Sequence, residues 1–484
     1  MKNKSKIIYL FSVILLGIVA LASCDKKDDN PSITKSTDKQ IIAFRFDSFT
    51  PAVTATIDQN MHTITAVLPE GTNLTNLIPT IVCSDKASVS PIPGTAVDFT
   101  NPVVYTVTAE DLSVNTYIVT VTTLGSQVEV LSGELSENRT LPNVSSGIDY
   151  IIDGWFNIEG NALLTIEPGV KIVFANTYSG IKVGTNAGLK MSGTLEMPII
   201  LTGPVNNNNK GSWYGIEYNS NRADNVMNFV QVINAGASGS VGAVIINDNA
   251  QLKITNSIID RSAQSGLFIY EGNLAEFNGN TISDCDNFPI EADNMMNLQN
   301  LNTNNAFIGN TNNMVNVNYS PQLEQSCIFK EITIPYLVNG FATNSNVEIE
   351  AGVNIKFKSQ SIFDIYPSGK VTAIGTAQKP IIMEGLEGDA GYWGGIYLNS
   401  GRDNIISYCN ISGGGYDTWN MRSNIAMWDN SKLTISNSVI SNSTGYGFQY
   451  SSYITLSHSN VTFQTCAMGN VYDYDNEIVY DTLP

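Results

Sequence analysis

The stretch from about Leu164 to Gly236 is written a second time between about Val347 and Gly415. TIEPGVKIVF (165–174) returns as EIEAGVNIKF (348–357), and GTLEMPIILTG (193–203) as GTAQKPIIMEG (375–385). WYGIEYNSNRADN (213–225) returns as WGGIYLNSGRDN (393–404). The offset drifts only from 183 to 179 residues, so one block was duplicated with little inserted. Short apolar strands joined by Gly and Asn turns and repeated this way indicate a β-solenoid, in which each unit buries its apolar face by stacking on the next.

A finer period lies inside the block. Asn256-Ser257-Ile258-Ile259, Asn280-Thr281-Ile282 and Asn305-Ala306-Phe307-Ile308 lie 24 and 25 residues apart, and Asn437 and Asn460 are 23 apart. One Asn per coil can stack its amide on those above and below, as amide ladders do in cross-β structures. Asn256 and Asn280 are therefore expected to stack in neighbouring coils. This period, with the TIEPGV…G…PI element, resembles the right-handed parallel β-helices of the pectin-lyase-like superfold over about three-quarters of the chain. At ~24 residues per coil, residues 126–484 would make roughly 15 turns, with neighbouring strands ~4.8 Å apart. The two related halves, about 126–305 and 327–484, are expected to superpose coil on coil.

The N-terminus has a different character. Lys2, Lys4 and Lys6 precede a mostly apolar run from Ile7 to Ala22, which ends in Leu21-Ala22-Ser23-Cys24. A basic start, an apolar core and a small-residue end make a secretory signal over 1–23, and the run is marginal for a membrane span. The Leu-Ala-Ser-Cys ending resembles a bacterial lipobox, which implies cleavage before Cys24 and lipidation of its thiol. The polar stretch 24–38 reads as a flexible tether. Its acidic cluster resembles the export signal of Bacteroidetes surface lipoproteins, interrupted here by Lys26 and Lys27.

Residues 39–124 alternate apolar and polar positions over strand lengths, with turns every 8–12 residues or so, the spacing of a small antiparallel sandwich. Val103, Tyr105 and Val107, then Tyr117, Val119 and Val121, would face its core. The segment resembles the Ig-like N-terminal modules of Bacteroidetes surface lipoproteins, which implies a spacer. The fold class is thus all-β: a small Ig-like β-sandwich followed by a duplicated right-handed parallel β-helix.

Composition narrows the partners. With 25 Lys+Arg against 44 Asp+Glu, the chain lacks the clustered cations that nucleic-acid backbone binding needs. The expected membrane contact is the lipid anchor alone. Beyond Cys24 there are five cysteines, an odd count without metal-site spacing. Cys285 and Cys466 occupy matching places in the copies, so free thiols in the core are expected.

Catalytic signatures are scarce. The two histidines, His62 and His458, have no triad context, and zinc-type clusters are missing. The resemblance implies looking for lyase and hydrolase residues. Arg222 with Asp224 and Arg402 with Asp403 are the nearest analogues of a lyase base with its carboxylates, but their repetition favours a turn-forming role. Hydrolase acid clusters are not recognisable in the solenoid, and fold alone does not supply function. Trp213 and Trp393 each open a strand; a loop seal is favoured over sugar stacking because both copies carry one.

The copies differ most in aromatic residues: 15 Phe, Trp and Tyr in 392–480 against 8 in 212–300. Tyr416, Trp419, Trp428, Tyr446, Tyr450 and Tyr453 sit in loop-like context, and the copy-one stretch Ala237 to Val241 has no rings. Flat rings beside Asp, Asn and Arg suit a sugar site. The candidate glycan-binding set is Tyr416, Asp417, Trp419, Asn420, Arg422 and Trp428; lateral packing or C-terminal capping is the alternative. No cofactor is expected. Tyr472, Asp473, Tyr474, Asp475 and Glu477 are candidates for Ca²⁺, although a terminal run of like charge is more often solvated. The preferred function is glycan or polysaccharide binding at the cell surface without catalysis. A carbohydrate lyase or hydrolase and an adhesin or scaffold are the alternatives.

Overall fold

Alternating apolar residues on short strands shape both parts of the chain. The computed structural model describes residues 34–69, 71–123, 128–144, 147–204, 207–318, 323–417 and 421–484. It divides the chain into two compact units, 1–124 and 125–484. The signal segment, Cys24 and most of the tether lie outside the described residues. No α-helix occurs among those described.

In the first unit, a three-stranded sheet (Val53–Thr54, Ile41–Phe46, Thr80–Cys83) faces a five-stranded one (Thr56–Asp58, Thr63–Leu68, Val114–Thr123, Val103–Thr108, Ser88–Ser90). Alternation places Tyr105, Val107, Tyr117, Val119 and Val121 in the core, with Val103 packed against it. Phe44 meets Tyr105 edge-on at 5.4 Å, and Phe46 meets Phe99 at 5.7 Å. The expected antiparallel arrangement needs one correction. Thr63–Leu68 and Val114–Thr123 run parallel, because the long connection between them leaves room for a crossover that a hairpin does not.

The second unit is a parallel β-helix of about 13 turns. The first copy has three faces. One stacks Leu163–Ile166, Gly188–Ser192, Val226–Asn228, Gln251–Thr255 and Asn273–Asn278. The second stacks Lys171–Phe174, Ile199–Thr202, Val230–Ile233, Ile258–Asp260, Thr281–Ser283 and Ala306–Ile308. The third stacks Gly180–Val183, Gly215–Tyr218, Gly242–Ile246, Ser265–Ile269, Ile290–Ala292 and Val315–Val317. Register carries like residues into like places: Ile172, Leu201, Val232, Ile259, Ile282 and Phe307 form one buried column. The turns number fewer than a uniform 24-residue coil gives, because loops such as that between Gly180 and its neighbour Gly215 lengthen some coils.

The helix is continuous across the duplication, but not every face of the second copy continues on its like face. Val315–Val317, on the third face, pairs with Tyr336–Val338, which pairs with Asn354–Phe357 and through it with Ile381–Gly385. Those last two are the second-copy counterparts of Lys171–Phe174 and Ile199–Thr202, which lie on the second face. At the join, the counterpart of the second face is therefore in line with the third face, whereas the counterpart of the first face leads through Cys327–Phe329 to Gln299, beside the first face. Counterparts of the third face form a separate sheet: Phe341–Thr343, Ile362–Ile365, Gly395–Leu398, Ser423–Met427, Tyr446–Tyr450, Gly469–Asp473 and an antiparallel Ile478–Tyr480.

The Asn ladder exists one residue away from where the sequence period puts it. Pairing of Ile259 with Ile282 sets Ser257, not Asn256, opposite Asn280. Asn280 Oδ1 accepts the Ser257 N–H at 3.0 Å, and Asn305 Oδ1 accepts both the N–H and the amide of Asn280 at 3.0 and 3.1 Å. Asn256 instead takes a left-handed turn (φ 51°) and donates outward to Asn228 at 3.0 Å. Asn437 and Asn460 do pair directly, at 3.0 Å, both left-handed.

All five described cysteines are free. Burial pushes the thiols of Cys285, Cys327 and Cys409 up to about 12, so they behave as small apolar residues. Cys466 is only half-buried, because its strand, Thr455–Cys466, pairs on one side alone.

Candidate functional site

Both tryptophans of the duplicated motif are sealed. Trp213 stacks on Phe174 at 3.7 Å and donates Nε1–H to the Ile233 carbonyl at 2.7 Å; Trp393 stacks on Phe357 at 4.0 Å and donates to the Ser412 carbonyl at 2.7 Å. Neither offers a face to sugar. The Arg–Asp motif resolves into a turn. Asn225 and Asn404, both buried, accept the N–H groups of Leu189 and Val371 and donate to the carbonyls of Ser220 and Ser400. Arg222 pairs with Asp224 at 2.6 Å, but Arg402 does not pair with Asp403, which is bound by Lys432 at 2.5 Å. What the duplication preserves is the buried asparagine and its serine, with no repeated base–carboxylate pair.

The predicted glycan set falls into two groups around the strand Ser423–Met427. At its start, Tyr416 is exposed (36%) and its N–H is anchored on the Trp393 carbonyl at 3.0 Å. Arg422 forms an ion pair with Asp417 and holds that carboxyl below its usual range. Trp419 and Asn420 lie outside the described residues. At the strand's other end, roughly 20 Å along an extended chain, Trp428 is half-buried.

Trp428 belongs to a path of rings that sequence reading did not assemble. Tyr446 stacks on Tyr472 at 4.3 Å with planes 4° apart, and Tyr472 meets Tyr474 at 6.4 Å. Tyr474 meets Trp428 edge-on at 4.8 Å, and Trp428 meets Tyr397 at 6.2 Å. These rings come from four successive strands of one sheet, so the path spans ~14 Å of the axis. Tyr397, Ala426, Gln449 and Tyr472 share the row that points away from the bore, in which Ala426 and Gln449 are fully covered and Tyr397 and Tyr472 half-buried. Tyr446 and Tyr450, expected in loops, lie on a strand. In the first copy the matching outward row is Glu217, Ile245, Phe268 and Glu291, with no tyrosine or tryptophan.

Beside Tyr397 in that outward row stands Asp364. It is 9% exposed, its Oδ1 has no hydrogen-bond partner, and burial pushes its carboxyl up to about 6. The Tyr397 hydroxyl is raised by burial and then by the charges of Asp364 and Asp429. The Trp428 Nε1–H is likewise enclosed without a partner. Near the other end, Asp473 accepts from Tyr450 Oη at 3.1 Å and Asn476 Nδ2 at 2.9 Å, and Asp475 accepts from the Ser452 N–H. These two carboxylates thus have protein partners. Among the described residues no group of three or more His, Cys, Asp or Glu is arranged to hold a metal ion.

Comparison with known proteins bears on both units. Residues 41–121 match the family model described as SGBP, N-terminal. The first coils of the second unit, 133–225, match the model described as a pectate-lyase-like β-helix domain. The ring path, at 397–474, lies beyond both matched segments. A crystal structure of a protein proposed to be a glycoside hydrolase from Bacteroides thetaiotaomicron aligns at 26% identity over 23% of this chain and 29% of that one. Its TM-score is 0.16, so it carries no argument about this fold. No curated protein gives a significant match.

Proposed function

We propose that this protein is a cell-surface lipoprotein that binds a polysaccharide along the ring-bearing sheet of its β-helix and does not cleave it. The observation that carries this is the path Tyr446–Tyr472–Tyr474–Trp428–Tyr397, present in one copy of the duplication only. A solenoid needs no such rings to stack its coils, whereas pyranose faces bind by apolar contact with a few polar groups fixing orientation. The SGBP N-terminal match supports the same reading. Tyr416, Asp417 and Arg422 are proposed to flank the path at its Tyr446 end, where the Arg422 carbonyl accepts the Tyr446 N–H; Trp419 and Asn420 are proposed as glycan contacts on the sequence alone.

Retention on a panel of immobilised polysaccharides, with assay for new reducing ends or unsaturated products, tests this. Trp428→Ala and Tyr472→Ala are each expected to weaken binding about tenfold, a loss of ~1.4 kcal/mol, without releasing product from any polymer. Unchanged binding in both variants would sink the site, and product formation would sink the non-catalytic reading.

Anchoring through Cys24 belongs to the same proposal and rests on the lipobox-like ending Leu21-Ala22-Ser23-Cys24. Cys24→Ala is expected to abolish fatty-acid labelling and shift the protein from the outer membrane to a soluble fraction. Labelling that survives the substitution would refute it.

A further inference from the structure

We infer that the ligand of the ring path is an uncharged polysaccharide, held by stacking and by hydroxyl donation to surrounding carboxylates, and that polyuronates and sulfated glycans are refused. This rests on the glycan-binding reading above and adds the chemical class.

The charges around the path carry the argument. Asp364 and Asp429 bear on Tyr397, and Glu477 and Asp473 bear on Tyr472. Asp473 is also the acceptor for the Tyr450 hydroxyl. Carboxylates therefore flank both ends. Arg422, next to the strand start at Tyr446, is already paired with Asp417. A polymer with one negative charge per unit would lie against several like charges at once. Arg422 and Lys432, the cations that flank the strand Ser423–Met427 in sequence, are each engaged by a carboxylate, Asp417 and Asp403, and so offset little of that repulsion.

The hydrogen-bonding chemistry agrees. Ionised carboxylates only accept, and so select partners that donate. Asp429 and Glu477 are exposed beside the rings. Sugar hydroxyls can donate to them; a uronate carboxylate or a sulfate ester cannot. An uncharged pyranose thus satisfies both surfaces of the site, with its apolar face on a ring and its hydroxyls on the acids. The class inferred is the opposite of the pectate in the name of the matched helix domain. It comes from residues outside that match.

The test uses the full chain in a zwitterionic detergent. Probes are neutral β-glucan, mannan and arabinoxylan, with polygalacturonate in de-esterified and fully methyl-esterified forms, and a sulfated galactan. At least one neutral polymer should bind ten or more times tighter than either anionic one. The methyl ester should bind more tightly than its acid form. High salt should narrow these gaps by screening the repulsion, and so should the double variant Asp429→Asn/Glu477→Gln. Tightest binding to an anionic polymer, lost in Trp428→Ala, would overturn the class while leaving the glycan-binding reading intact. Retention of no polymer at all would overturn the glycan-binding reading and this inference with it. Neutral-polymer binding untouched by both Trp428→Ala and Tyr474→Ala, in variants whose thermal unfolding matches the parent, would overturn the location. Tyr474 is 38% exposed, so its removal tests the path with little effect on folding.

Discussion

Replacing Trp393 with alanine is expected to lower the local stability of the second copy by about 3–5 kcal/mol, the range for deleting a large buried aromatic. Trp393 has no solvent exposure, lies flat on Phe357, and closes the Ser412 carbonyl with its indole N–H. Alanine removes the stacking, opens a cavity and leaves that carbonyl unmet, and these losses act together. The backbone cannot collapse inward to compensate. Gly395, two residues on, holds φ at 106° with its missing Cβ directed at the Ser423 carbonyl of the next coil. Trp213→Ala should cost about as much, since Phe174 and the Ile233 carbonyl repeat the arrangement. The two effects should add, because the sites share no partner. Hydrogen exchange resolves the opening free energy coil by coil. Protection of Ile381–Gly385 and Gly395–Leu398 should fall in Trp393→Ala while that of Gly215–Tyr218 stays. A loss under 1 kcal/mol would contradict the sealing role.

How far such features can be read from sequence depends on whether the signal is local. The duplicated tryptophan was legible as a seal because a residue kept in both copies is explained by what the copies share, which is stacking. Strand positions and the parallel helix were legible because alternation and a near-constant period survive in each coil. The Asn ladder failed by one residue, since Asn256-Ser257 offers two candidates to Asn280 and only strand pairing chooses between them. The parallel pair inside the sandwich was hidden for a similar reason: alternation reports burial and is silent about strand direction. The change of face at the join was not legible because period alone does not count faces. The ring path was out of reach for a further reason. Tyr397, Trp428, Tyr446 and Tyr472 are separated by most of a coil each, and no local pattern announces that they converge. Their excess in one copy was the only trace, and it led to the loop residues around Tyr416 as well as to Trp428.

Asp364→Asn is expected to stabilise the protein at neutral pH by on the order of 2–3 kcal/mol, and not at all in acid. The carboxyl moves from an ordinary value of 3.8 to about 6 because folding encloses it without a partner for Oδ1. The native state therefore holds a proton that the unfolded chain has released. Between those two values, stability falls as pH rises. Below about pH 3.8 the acid is neutral in both states and the penalty is gone; above about pH 6 it is complete. Unfolding midpoints of parent and variant should converge near pH 3.5 and separate through pH 6, with the variant higher. Parallel profiles across that range would show that Asp364 finds a partner or remains hydrated. At the proposed glycan site the same substitution is expected to weaken binding, because the acid pairs in register beside Tyr397. An enclosed carboxylate that costs stability at the pH where it is ionised is not explained by packing alone. A gain in stability with a loss of binding is the pattern expected of a residue retained for function.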